Sequence, residues 1–121
     1  MKKHHSPRGP MLDMREYAQR VVDLTAGHTK EDITEERDWP LRLSLERALE
    51  IIGEAANRVP RDVQARFPQI PWAAIIAMRN ILIHAYDTID LLQIWYAATV
   101  SVPELLRHLD AAIDRQPPFD S

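Results

Sequence analysis

LRLSLERALEIIGEAANRV, residues 41–59, decides the fold. Leu41, Leu45, Ala48, Leu49, Ile52, Ala55, Ala56 and Val59 recur at three- and four-residue spacing. That period places them on one face of an α-helix of about five turns. Asp38 precedes the run as an N-cap. Pro40 is tolerated in the first turn, where its missing N–H has no intrahelical acceptor in any case, and Pro60 ends the pattern. Gly53 lies inside the stripe at a cost of about 1 kcal/mol relative to alanine, which points to another backbone packed closely against it.

The helical period extends outward in both directions. Upstream, Met14, Tyr17, Ala18, Val21 and Val22 predict a helix over 11–25, closed by Gly27. Residues 28–38 are polar and charged and are expected to form a loop, and residues 1–10 a flexible arm. Downstream, residues 61–71 hold a short helical turn between prolines. Pro71 then opens a helix from Trp72 to His84 carrying Ile75, Ile76, Leu82 and Ile83. Asp90 caps a last helix reaching Ile113, with a kink expected at Pro103, and residues 116–121 are expected to form a flexible tail. The expected fold is all-α: a four-helix up-and-down bundle with one short extra helix, spanning residues 11–115.

Composition narrows the function. With 121 residues, 45% hydrophobic and 27% charged, the chain supports one domain with one core. It has no cysteine, which excludes disulfides, thiolate metal sites and cysteine nucleophiles. The longest apolar stretch, residues 70–78, is about half of the roughly 20 residues a spanning helix needs. The basic first ten residues lead into no apolar segment, so neither a signal peptide nor a membrane partner is expected, and the chain is read as cytoplasmic. Net charge is −3, and residues 11–121 carry 12 basic against 18 acidic side chains, a poor footprint for duplex DNA. Between residues 57 and 80, however, Arg58, Arg61, Arg66 and Arg79 face only Asp62.

The chain lacks a phosphate-binding glycine loop, a two-histidine zinc helix and a nucleophile elbow. His4 and His5 lie in the arm, His28 and His108 among charged neighbours, and no metal site is expected. His84 is different. In MRNILIHAYD, residues 78–87, the polar residues Arg79, Asn80, His84 and Tyr86 punctuate an apolar helix. Asn80 and His84 share a face, whereas Arg79 and His84 stand about 140° apart around the helix. By residue type alone, the segment also fits a helix end with a satisfied histidine, an exposed arginine and a core tyrosine.

Arg79, His84 and Tyr86 together resemble the R-x4-H-x-Y signature of the HepT-like ribonuclease toxins of the HEPN superfamily. The resemblance extends to Leu49-Glu-Ile-Ile-Gly-Glu-Ala-Ala56, Ile70-Pro-Trp72 and Asp90, all in register over residues 12–113. It implies a HEPN-like homodimer whose two motif helices meet at a shared, metal-independent RNA-cleaving cleft. His84 would serve as acid or base, Arg79 would clamp the phosphate, and Asn80 would hold the His84 tautomer or donate to the phosphate. Glu54 would line the cleft or orient Arg79, unless it is a plain surface carboxylate, and Arg58, Arg61 and Arg66 would form the RNA approach. It also implies a minimal nucleotidyltransferase antitoxin, MntA-like, that transfers AMP from ATP to Tyr86. ATP would be the partner's AMP donor, and the chain itself would need no cofactor. The alternative within the superfamily is a non-catalytic nucleotide-binding or partner-docking module.

Overall fold

The computed structural model describes residues 8–84 and 88–115, and its secondary structure there is helical throughout. The central helix, α3 (Trp39–Arg58), buries Leu41, Leu45, Ala48, Leu49, Ile52, Ala55 and Ala56. The Asp38 side chain accepts from the Leu41 N–H at 3.0 Å, as its N-cap position requires. Before it come α1 (Arg8–Thr25) and α2 (Lys30–Thr34); after it, α4 (Arg61–Gln64), α5 (Trp72–His84) and α6 (Leu91–Tyr96). A π-helical turn, Ala97–Ser101, joins α6 to α7 (Val102–Arg115). Helix α1 packs against both α3 and α7, and α5 packs against α3. The core runs from Met11, Met14, Ala18 and Val21 through the α3 stripe to Leu105, Leu109 and Ile113.

The all-α bundle stands, with three corrections. Two short turns accompany it rather than one, because residues 30–34 are helical where a loop was expected. The turn holds itself with the Thr29 N–H donating to the Asp32 carboxylate at 3.1 Å, and it buries Ile33 completely. One apolar residue in five leaves no period to read. Helix α1 begins at Arg8 rather than Met11, with Gly9 and Pro10 already buried. The last helix, expected as one piece kinked at Pro103, instead carries its irregularity just upstream, as the π turn at Ala97–Ser101. Pro103 has no N–H to give the carbonyl four residues back, and the wider turn absorbs the disruption.

The link from α3 to α5 is braced rather than loose. Gln64 Nε2 donates to the carbonyls of Ala56 at 3.3 Å and Val59 at 3.0 Å, satisfying acceptors at the end of α3. Trp72 Nε1 donates to the carbonyls of Gln64 and Phe67, both at 3.1 Å, which ties the first residue of α5 to the same turn. Gly53 then lets α5 lie close: a Cβ built there would stand 2.2 Å from Arg79 Cβ and 3.1 Å from the Ile75 carbonyl. The close backbone approach expected at Gly53 is therefore made by the helix that carries the motif. Among the described residues, no helix is long and apolar enough to cross a membrane.

Candidate active site

Helix α5 is apolar nearly all round, yet only Trp72 and Leu82 on it are buried. Its principal partner is α3 alone, so one face is left outside. Ala73, Ala77, Asn80, Ile81 and His84 are all exposed and fall within one stripe of that face at 100° per residue. A helix apolar on every side is normally buried on every side. Small residues at 73 and 77 would let another helix approach closely, and Ile81, 41% exposed, supplies an apolar contact in the same stripe.

Asn80 and His84 therefore sit on the open face, whereas Arg79 leaves α5 on the side towards Gly53 and is half-buried. Its guanidinium still joins the open face, because Nη1 donates to Asn80 Oδ1 at 3.0 Å. Its Nε is buried and has no hydrogen-bond partner among the described residues. The arginine is thus held by its stem and presents its Nη end. Asn80 bonds to Arg79, and no bond from Asn80 to His84 occurs among the described residues, so its observed partner is the guanidinium rather than the imidazole. The sequence offers Asn80 two roles, holding the His84 tautomer or donating to the phosphate, and neither involves Arg79. It does not show that a long side chain one position back reaches around the helix.

Glu54 is half-buried beside Gly53 but makes no ion pair or hydrogen bond to Arg79 among the described residues. Arg58 pairs with Asp13 across α3 and α1 at 3.1 Å, so a carboxylate already engages its charge. Arg61 and Arg66 are exposed, and neither forms an ion pair among the described residues. Tyr86, the AMP acceptor implied by the resemblance, lies outside the described residues, as do His4 and His5. His28 is held by Asp32 at 3.0 Å, a surface pair. No group of three His, Asp or Glu side chains suited to a metal ion occurs among the described residues. An apolar cleft of about 180 Å³ opens between α3, α5 and the π turn, lined by Ile52, Ile75, Met78, Ala97 and Val102. No ionisable side chain lines it, so it lies apart from the polar cluster.

The profile of the family described as Ribonuclease HepT-like matches residues 14–112, which takes in Gly53, Glu54, Arg58, Arg61, Arg66, Arg79, Asn80, His84 and Tyr86. The chain is 34% identical over 107 residues to the protein named "Probable ribonuclease HepT" of Thermococcus cleftensis, covering 87% of this chain and 92% of that one. Two proteins of Methanocaldococcus jannaschii, each named as a "putative RNase", are also similar. One is 32% identical over 100 residues, with 83% of this chain and 90% of the other covered. The second is 29% identical over 103 residues, with 85% and 84% covered. No solved structure matches the chain significantly.

Proposed function

This chain belongs to the HepT-like ribonuclease family, and from that premise we propose that it is a metal-independent endoribonuclease toxin acting as a homodimer across α5. The observation that carries the reading is the open face of α5. Asn80 and His84 stand on it among small and apolar residues, and the Nη end of Arg79 is turned towards it. Two copies meeting there would supply two imidazoles and two guanidinium groups to one phosphodiester.

The chemistry balances with those groups. One neutral His84 takes the proton of the ribose 2′-hydroxyl, and the 2′-oxygen attacks phosphorus. The bond to the 5′-oxygen breaks, and that oxygen leaves with a proton from the second, protonated His84. The products are a 2′,3′-cyclic phosphate and a 5′-hydroxyl. An imidazole suits both roles because its two forms coexist near neutral pH, and such proton transfer typically contributes about 10² to 10⁴ in rate. Arg79 stabilises the charge gathering on the pentavalent phosphate through its Nη groups. Arg61 and Arg66, exposed and without an ion pair among the described residues, form the RNA approach, while Arg58 is held by Asp13.

Control of the toxin is read from the motif. A minimal nucleotidyltransferase antitoxin attaches AMP from ATP to Tyr86, two positions beyond His84. The added phosphate competes for Arg79, and the nucleotide fills the cleft. The purified chain should cut RNA in EDTA and leave 2′,3′-cyclic phosphate ends, and His84→Ala should fold normally and cut nothing. Cleavage abolished by EDTA defeats the metal-free mechanism. Co-expression with the partner should add AMP mass to the chain, and Tyr86→Phe should abolish that gain.

A further inference from the structure

We infer that Gly53 is a positioning residue for Arg79: the missing side chain on α3 sets where the phosphate-clamping guanidinium stands. The inference rests on the nuclease reading above and adds a residue to it that touches no substrate. A Cβ at position 53 would lie 2.2 Å from Arg79 Cβ, 3.0 Å from Arg79 Cγ and 3.1 Å from the Ile75 carbonyl. Two of these atoms belong to the root of the arginine and one to backbone, so rotating the end of a flexible side chain does not relieve the contact. Ordinary van der Waals contact begins near 3.4 Å, so the root of Arg79 would have to retreat by about 1 Å.

The rest of the arginine is tethered at its other end. Nη1 is held by Asn80 on the open face, and Nε is buried in between without a partner among the described residues. Gly53 at the root and Asn80 at the tip therefore fix the path of the side chain. A retreat at the root carries the Nη groups with it or breaks the bond to Asn80. A misplacement of about 1 Å at a reacting phosphate can cost on the order of 10² in rate.

The test compares Gly53→Ala with Gly27→Ala. Gly27 ends α1 at φ 78°, and a Cβ there meets nothing within 4 Å, so its alanine variant strains the backbone without touching the site. Both variants should melt lower than the parent. Gly53→Ala should lose about 10² in kcat with KM nearly unchanged, whereas Gly27→Ala should stay within about threefold of the parent. Placed on Arg79→Gly, which removes both the guanidinium and the Cβ that the new methyl strikes, Gly53→Ala should add no further loss. Parent-like cleavage by Gly53→Ala, or losses that multiply with those of Arg79→Gly, overturns the proposal.

Should Gly53→Ala fail to fold, Gly53→Ala with Arg79→Gly removes the side chain that the new methyl strikes. Recovery of helicity and melting temperature then supports the contact, and no recovery overturns it. A parent that does not cleave RNA defeats the nuclease reading instead. In that event the Arg79 Nε–H resonance, identified by its absence in Arg79→Lys, carries the test. It should move in Gly53→Ala and not in Gly27→Ala, and an unmoved signal overturns the positioning role.

Discussion

Ile81→Ala tests the dimer at its open face. Ile81 is 41% exposed in the single chain. Fully burying such a side chain contributes about 1.5–3 kcal/mol, so covering the remaining exposed part contributes about 0.6–1.2 kcal/mol per copy. A two-fold interface counts each contact twice, giving about 1–2.5 kcal/mol per dimer. At about 1.4 kcal/mol per tenfold, the dissociation constant of the dimer should rise roughly 5- to 50-fold. Sedimentation velocity across a dilution series measures the shift, and RNA cleavage per chain at the same concentrations should fall in step with the dimer fraction. At concentrations where both proteins are fully dimeric, their specific activities should converge, because Ile81 supplies no chemistry. An unchanged dissociation constant, or full cleavage by a species sedimenting as monomer, refutes the two-fold arrangement on α5.

Three other perturbations separate clamp, cap and acid sensitivity. Arg79→Lys keeps the charge but loses the planar fork, so kcat/KM should fall about 10² to 10³ in a steady-state cleavage assay, with the melting curve little changed. Asp38→Ala removes the acceptor for the Leu41 N–H and should lower stability by about 1 kcal/mol in urea unfolding, while activity per folded chain is retained. The Asp32 carboxyl is held below its ordinary value of 3.8, first by the Thr29 N–H and then by His28. A depressed carboxylate contributes stability that is complete above the unfolded value and is lost as pH falls through the folded one. Asp32→Asn should therefore flatten the fall in stability below about pH 4, measured by thermal melts in acid, and an unchanged acid slope would count against the cap.

Legibility tracked how many residues carried each signal. Helix α3 was readable because its apolar positions repeat over its whole length and nearly all are buried. Helix α2 was not, because its fold depends on Ile33 and a cap bond that only coordinates reveal. The π turn was hidden because Pro103 announces a disruption but not which carbonyls it rearranges. At the site, Gly53 was read as a point of close approach, and it is one, but nothing in the spacing said that Arg79 lies across it. Asn80 paired with its sequence neighbour rather than with the residue one turn on. The open face of α5 left a trace that went unused: a helix with apolar residues all round has more buried surface to find than a single chain of this size offers it.

The π turn between α6 and α7 also bears on how chain length can vary here. A π turn winds more residues into one revolution than an α turn does, so Ala97–Ser101 is a place where the helix carries surplus chain. Excising one residue there would let the segment tighten into regular α-helix while Ile94 and Leu105 keep facing the core. The same excision within α3 would turn every apolar residue beyond it by about 100°. Length drift between related sequences should therefore collect at residues 97–101 rather than along the central helix.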